Sequence, residues 1–435
     1  MSVDLENLVK VLQPVAHVPY APPHVFPMSA PNFQKAPEVE RPRPAGDPLG
    51  LYLHIPYCRY ACNFCFYIKR IGADDTEMQD YVAALEKEVQ HVPAGTPLTQ
   101  LFVGGGTPTA LPAKFLDKVL ATALNRMDRT GESIHTVECS PETVTDEHLD
   151  VLRKHGVQRV SMGVQTFNND VLRRVHRRHT GEQALDACRK LAASGLMVNI
   201  DLMYGLPGQS REIFHDDFAM VASEKVGCVT AYNLRVNEET PVRRLLKDHE
   251  RLELGRLAVW RGFVRDTARQ LGYEQPHWQR FMLPDTQFEL ELTTDNLYGL
   301  GVSARSFLDN AVYRNHTKLS RYVQRVESGS SPVQEVFPLS LEHQKTYFIT
   351  RTLGAGKQLD YRIYEERFGR RFWQDYGEVC QPLLDTGALE EDGDRLAISP
   401  MGALLYDRVT LAFYPEVLQR WLQGRHEKAM RGRVA

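Results

Sequence analysis

No apolar run in the sequence approaches the roughly 20 residues that cross a bilayer, so nothing in it reads as a membrane span. The first ten residues, MSVDLENLVK, carry acids and no apolar stretch, which argues against a secretory signal. Charge of one sign is also missing, because 52 Lys and Arg stand against 55 Asp and Glu, a formal net charge of −3. That balance gives no global field for nucleic acid. Cysteine is sparse, at seven in 435 residues, which is not the density of a disulfide scaffold. The expectation is a cytoplasmic protein with reduced thiols. Its 43% hydrophobic content is enough for one large domain and a smaller one.

Three of the cysteines fall in one run, HIPYCRYACNFCFY, as Cys58, Cys62 and Cys65 with the spacing C-x3-C-x2-C. A closed structural zinc site wants four ligands, usually from two separated C-x2-C pairs, and no second pair exists. The plain alternatives are buried thiols clustered by chance, or a zinc knuckle completed by His54. Arg59, Tyr60 and Asn63 make the intervening loop polar and irregular, unlike a strand or helix face. An iron–sulfur cube fits better. Three thiolates hold three of its irons and leave the fourth open to a small molecule.

Along the chain, residues 1–50 are rich in proline, which disfavours regular structure; they read as an extended leader or a disordered tail. From Leu51 apolar strands alternate with amphipathic stretches. Strands are predicted at 51–55, 100–103, 134–138, 158–163, 197–202 and 227–232, and helices at 77–90, 112–124, 145–155, 181–194 and 210–224. Such alternation predicts βαβ units and a parallel sheet, an α/β fold. Residues 246–337 read as a less regular extension of a core at 51–245. In 338–420, ALEEDGDRLAISPMGALLYDRV reads as a hairpin turning at Asp392-Gly393 and followed by a helix. Its acidic residues Glu390, Glu391, Asp392 and Asp394 would repel phosphate. The basic tail 421–435 reads as a solvated helix end.

The spaced cysteines after LYLHIPYC, together with VGGGTPT, ECSPETVT, RVSMGVQTFNNDVL, RRH, NIDLMYGLPGQS and GLGVSARSF, resemble the radical S-adenosylmethionine (SAM) enzymes. Within them they are similar to the oxygen-independent coproporphyrinogen III oxidase branch, which also contains heme chaperones, anaerobic heme-degrading enzymes and the class C methyltransferases and cyclopropanases. The resemblance runs from about Leu51 into the C-terminal region. It implies a partial (β/α)6 barrel with a C-terminal winged-helix-like domain, and chemistry at the C-terminal ends of the strands. It also implies a [4Fe–4S] cluster on Cys58, Cys62 and Cys65, with one or two SAM molecules. The open iron would hold the amino and carboxylate groups of SAM, and one electron would split the sulfonium to a 5′-deoxyadenosyl radical. The protein would supply placement and exclude competing reactions.

The same resemblance assigns SAM contacts. Gly105, Gly106 and Thr107 follow the second strand, where glycine lets the backbone approach a ligand. Glu138 would accept from the ribose hydroxyls. Gln165, Arg177 and Asp201 match positions that touch SAM, Arg177 with a planar fork suited to a carboxylate. Tyr52 and Phe64 complete the set. Tyr204, Gly205 and Gly299 to Ala304 are candidates for a second SAM. Isolated histidines such as His277 and His316 are taken as structural, and His54 as a residue able to tune the cluster. An external one-electron donor such as flavodoxin or ferredoxin and a small-molecule substrate are implied partners.

Three departures bear on the reaction. After Cys65 the chain has Phe66-Tyr67 where the oxidase has Gly-Cys. The oxidase's tyrosine-threonine-serine-tyrosine-proline word is absent from residues 1–50. The chaperone's late histidine-asparagine and tyrosine-tryptophan words are replaced by Arg314-Asn315-His316 and Tyr322-Val323. Methyl or methylene transfer to an sp2 carbon of a tetrapyrrole, quinone or indole-like substrate is therefore the leading expectation. Oxidative decarboxylation and heme trafficking stand as alternatives.

Overall fold

In the computed structural model the described residues are 3–16, 34–35, 39, 41, 47–236, 240–286 and 296–431. Six strands pair in parallel in chain order: β1 (Leu49–Ile55), β2 (Thr96–Gly105), β3 (Met127–Cys139), β4 (Arg159–Gln165), β5 (Met197–Tyr204) and β6 (Cys228–Asn233). The register sets Tyr52 beside Phe102, Phe102 beside Thr136, Glu138 beside Ser161, Gly163 beside Asp201, and Asp201 beside Thr230. Alternate residues take opposite faces of a strand. One face carries Leu51, Leu53, Leu101, Val103, Val137, Val160, Met162, Val198, Ile200, Val229 and Ala231, all buried in the main core. Burying each Leu, Val or Ile is worth roughly 1.5–3 kcal/mol. The other face carries Tyr52, His54, Thr136, Glu138, Ser161, Asn199, Asp201 and Thr230, and is polar.

Helices close each crossover: α1 (Asp75–Val89), α2 (Ala113–Arg126), α3 (Asp146–Lys154), the short α4 (Asn169–Arg174), α5 (Gly181–Ala193) and α6 (Arg211–Ser223). Their starts are written in the sequence. Thr145 and Thr180 form capping boxes with His148 and Gln183, and Asp74, Asn168 and Ser210 accept from first-turn amides. The expected α/β architecture is therefore present, with strands and helices within a few residues of their predicted ranges except β3, which starts at Met127 where 134 was expected.

The sheet extends beyond the six strands. Leu297–Leu300 adds a seventh parallel strand against β1, setting Gly299 beside Tyr52. Antiparallel strands at 305–308, 311–315, 333–338 and 34–35 continue that edge, and 280–282 and 274–277 continue the other. The region read as irregular thus supplies a parallel strand. The leader also differs from its extended reading. Val3–Val11 is a helix, and Leu5, Leu8, Leu12 and Val15 join the core; their 3–4 spacing is one helix face, ahead of the prolines.

At the C-terminal end, helices 341–354, 361–368 and 372–385 lead to the hairpin 389–392/395–398, which turns with Gly393 at φ 58°. Leu359–Asp360 completes a three-stranded sheet. Helix Glu416–Arg431 follows, and its Leu418 and Leu422 are buried, so the tail's first turns are packed rather than solvated. Residues 432–435 lie outside the described set.

Candidate functional site

The cysteine loop leaves the C-terminal end of β1. A short parallel pairing of Tyr57-Cys58 with Arg70-Ile71 closes its base. Asn63 pins its middle: the Asn63 amide donates to the Val175 carbonyl at 3.1 Å, and the Val242 amide donates to the Asn63 carbonyl at 3.1 Å. Cys58, Cys62 and Cys65 are free thiols, all half-buried. Burial pushes the Cys58 thiol up to about 11. It also raises Cys62, against the pull of Arg177. Thiols of this kind ionise when a metal centre takes the proton's place. Among the described residues no three His, Cys, Asp or Glu side chains are grouped to hold a single metal ion. His54, the fourth ligand of a zinc knuckle, instead bonds Tyr52 through Nδ1 at 3.0 Å. Three half-buried thiols on one loop offer the ligand number of a cube held at three corners.

The Gly-Gly-Gly-Thr turn clamps this loop. The Gly106 amide donates to the Ile55 carbonyl at 2.7 Å and the Thr107 amide to the Tyr57 carbonyl at 2.8 Å. The Gly105 amide donates to Glu138 Oε2 at 3.0 Å. Thr107 Oγ1 lies 3.7 Å from Cys58 Sγ. Close approach explains the glycines. A Cβ on Gly105, whose φ is 113°, would fall 2.5 Å from the His54 ring, and one on Gly106 would fall 2.7 Å from the Tyr57 carbonyl.

Glu138, Gln165 and Asp201 gather on the polar face beside the turn. Gln165 ends β4 at φ 74°, next to a register shift between Gly163 and Gln165. A side-chain-bearing residue in the left-handed region costs of order 1 kcal/mol or more and is concentrated at functional sites. Asp201 differs from its expected place at a strand end, since β5 continues to Tyr204. Its carboxylate accepts from Ser161 Oγ at 3.2 Å and Asn199 Nδ2 at 2.7 Å. Burial, then the charge of Asp201, raises Glu138 to about 7. Burial raises Asp201 to about 6, opposed by Arg159. Such a displaced pair inside a barrel mouth marks a candidate site.

Arg177 follows α4, and its fork is already engaged. Nη1 lies 3.7 Å from Cys62 Sγ, and Nη2 donates to the Gly163 carbonyl and, at 3.4 Å, to Ser140 Oγ. Tyr52 stacks on Phe102 at 6.1 Å between centroids. The Phe64 ring packs on a small separate core of Val171, Val175, Leu206, Val242 and neighbours, so its side chain serves the loop's footing.

The second-SAM candidates fare differently. Tyr204 is buried, stacked on Trp260 and edge-on to Phe214. Gly205, at φ 78°, faces Leu252. Around Gly299 to Ala304 the backbone is tied into the protein: the Gly301 amide donates to Glu88 at 2.7 Å and the Ser303 amide to the His316 carbonyl at 2.8 Å. Residues missed in the sequence lie near the mouth. Tyr67 is 53% exposed and within electrostatic reach of Glu138, Arg235 and Arg305. Tyr232, 40% exposed, shares that reach with Asp201 and Tyr67. The position of Tyr232, one residue before the end of β6, was the available signal.

Comparison with known proteins agrees with this geometry. Residues 52–221 match the Radical SAM superfamily, and residues 355–405 match the HemN C-terminal domain. The protein is thus of the radical SAM class, which carries a [4Fe–4S] cluster and uses SAM. The heme chaperone HemW of Lactococcus lactis is 27% identical, over 83% of this chain and 96% of that protein. The oxygen-independent coproporphyrinogen III oxidase of Escherichia coli is 27% identical, over 84% and 85%. The solved structure of that Escherichia coli oxidase, HemN, superposes with a TM-score of 0.74 at 26% identity, covering 84% of this chain and 90% of that one. Over most of its length the chain is similar to the coproporphyrinogen III oxidase-like proteins of the radical SAM superfamily. No helix among the described residues is long and apolar enough to cross a membrane.

Proposed function

We propose that the protein transfers a methyl or methylene group to a planar, conjugated, anionic substrate, using two SAM molecules. When bound, the cluster and SAM supply a 5′-deoxyadenosyl radical able to take hydrogen from carbon. Cys58, Cys62 and Cys65 hold the cluster. The amides of Gly105, Gly106 and Thr107 are spent inside the protein, which leaves carbonyl oxygens of the turn as acceptors for the SAM amino group. Glu138 accepts from the ribose hydroxyls, and Asp201 supports it from two residues farther toward the C-terminal ends of the strands, since Glu138 shares a row with Ser161 and Asn199. Gln165 and Arg177 address the remaining polar groups of SAM, Tyr52 flanks it, and Phe64 contributes through its main chain.

The observation that carries the substrate class is the pair of exposed tyrosines, Tyr67 and Tyr232, with Arg235 and Arg305 in reach of Tyr67. Aromatic faces favour a flat partner, and guanidinium groups favour carboxylates. The Phe66-Tyr67 pair, stacked at 4.6 Å, stands where the oxidase carries Gly-Cys. That departure favours transfer over decarboxylation.

Anaerobic turnover of reconstituted protein with dithionite, SAM and candidate tetrapyrroles, quinones and indoles tests the reading. S-adenosylhomocysteine formed together with 5′-deoxyadenosine is expected. Carbon dioxide and protoporphyrinogen from coproporphyrinogen III, without S-adenosylhomocysteine, would replace it with oxidative decarboxylation. Stoichiometric heme binding with negligible SAM consumption would replace it with heme trafficking.

A further inference from the structure

The polar face of the sheet does not end at β6. Strand 280–282 runs antiparallel beside it, and the register sets Arg280 opposite Thr230, which itself lies beside Asp201. Strand 274–277 continues the row, with His277 opposite Arg280. Directly opposed residues of a strand pair share one face, so Asp201, Thr230, Arg280 and His277 form a single row across four strands. Phe281, next in the chain, turns the other way into the core.

Arg280 is half-buried. Its Nε is buried without a hydrogen-bond partner, and among the described residues no carboxylate pairs with its guanidinium. The groups facing it are Cys228, Arg159, Tyr232 and Asp201. Burial pushes the Cys228 thiol and the Tyr232 hydroxyl up, so both are neutral. Arg159 adds a like charge. Asp201 is the only acid of the four, and its carboxylate is taken by Ser161 and Asn199. His277 is held down to about 4 by burial, then by Arg280 and Arg351, and is neutral near pH 7. Glu274 and Asp285, the acids nearest along the chain, are exposed, and Glu289 and Glu291 lie outside the described residues. A guanidinium drawn out of water is ordinarily matched by a carboxylate or several acceptors. Here burial, together with Arg159, lowers Arg280 instead.

One unmatched guanidinium beside a neutral imidazole balances a single negative charge, and its planar fork suits a carboxylate. Tyr232 stands two residues beyond Thr230 on the same strand face and is 40% exposed, an aromatic surface next to that fork. Strand 280–282 borders β6, the edge of the six-stranded core farthest from β1 and its cysteine loop. We infer that Arg280 is a specificity-determining residue, whose guanidinium holds a carboxylate of a flat aromatic substrate with its ring against Tyr232. The inference rests on the proposed flat, anionic substrate and adds which acid group is recognised and where. It does not depend on which group is transferred.

The test titrates the reconstituted protein with 2-naphthoate and with its uncharged methyl ester, following binding by fluorescence. Wild type should prefer the acid by roughly tenfold or more, the range for hydrogen bonds to a charged group. Arg280→Met should lose that preference by weakening the acid and leaving the ester unchanged, and Arg280→Lys should recover part of it. Arg280→Met should also keep the wild-type SAM affinity and a urea midpoint no lower than that of wild type, because it removes a cation without a partner. Wild type with no preference for the acid, or Arg280→Met that retains it, overturns the inference. A lowered urea midpoint in Arg280→Met overturns it too, since a carboxylate of this chain, such as Glu289 or Glu291, would then already hold the guanidinium. Arg280→Met that weakens SAM in place of naphthoate would give the fork to the carboxylate of SAM. S-adenosylhomocysteine is followed on the same preparations with the candidate substrates. Its absence from wild type strikes methyl transfer and leaves the preference for the acid standing.

Discussion

Glu88 and Glu138 are both carboxylates held inside the same sheet assembly, and their surroundings differ in kind. Glu88 is fully buried and takes Arg41, Asn315 Nδ2 at 2.8 Å, the Gly301 amide at 2.7 Å and the Tyr322 hydroxyl at 2.6 Å. Arg41 is itself buried, lies over the Tyr298 ring at 4.4 Å, and also donates to the Gly299 carbonyl. Charge and hydrogen-bonding capacity are matched there. Glu138 accepts from the Gly105 amide and faces the charge of Asp201, so burial raises it to about 7. The matched site joins the leader, α1 and the seventh strand. The mismatched site lies at the mouth of the barrel beside the cysteine loop. Where polar groups in this protein are completed they build the fold, and where they are left in conflict they wait for a ligand.

The largest effect expected on the mouth side is at the thiols. Cys62→Ala should abolish the brown absorbance of reconstituted protein and all 5′-deoxyadenosine formation, while its thermal unfolding stays close to that of apo wild type. A variant that keeps the chromophore would end the cluster assignment. On the matched side the main effect should be on stability. Glu88→Gln leaves Arg41 buried without its counter-charge, a loss of about 3–5 kcal/mol for a broken buried pair. Urea unfolding should show it, with SAM affinity of the folded fraction unchanged. If Glu88→Gln instead weakened SAM binding at constant stability, the division drawn between the two carboxylates would fail.

Glu138→Gln should move both readouts the other way. It removes the charge and one of the two acceptor oxygens, so SAM affinity should fall by about 2 kcal/mol, or roughly 30-fold, within the range for hydrogen bonds to charged groups. At pH 8 it should also stabilise the apo protein, because it replaces a half-buried charge on which Asp201 acts more strongly than Arg159. Equilibrium dialysis with SAM and denaturant titration on the same preparation check the two signs together.

The six strands and the motif residues at their ends were legible because their signals are local: an apolar run, then Cys58, Gly105, Glu138 or Gln165 within a few residues. What escaped was long-range. Leu297–Leu300 is a short segment, and pairing it with Gly50–Leu53 depends on contacts some 250 positions apart that no periodicity announces. Arg41 sits in a proline-rich stretch that reads as solvent-exposed, yet its partners are Glu88 and Gly299. Asp201 was placed at the end of a strand predicted over 197–202; β5 runs through to Tyr204 and turns at Gly205. Arg177 was read by its chemistry as a carboxylate fork, and only the packing of α4 against the loop shows its proximity to Cys62.

The mildest effect expected is on pH dependence, and its sign follows from the raised carboxyl. A carboxyl that titrates near 4.5 when unfolded and at about 7 when folded binds more protons in the folded state between those values. Stability of the apo protein should therefore fall as pH rises from about 4.5 to 7, by at most about 3 kcal/mol for the shift, and by less because Asp201 shares the titration. The slope should shrink in Glu138→Gln to the part that Asp201 contributes, since burial raises that carboxyl to about 6, and persist whole in Glu88→Gln. Affinity for SAM should run opposite to stability. The ionised form of Glu138 accepts two hydroxyls and the protonated form does not, so binding should tighten from pH 6 to pH 8 by up to about tenfold, the change in the ionised fraction across a value near 7. Wild type with SAM affinity flat from pH 6 to 8, beside a falling stability curve, would mean that Glu138 titrates as described but does not hold the ribose.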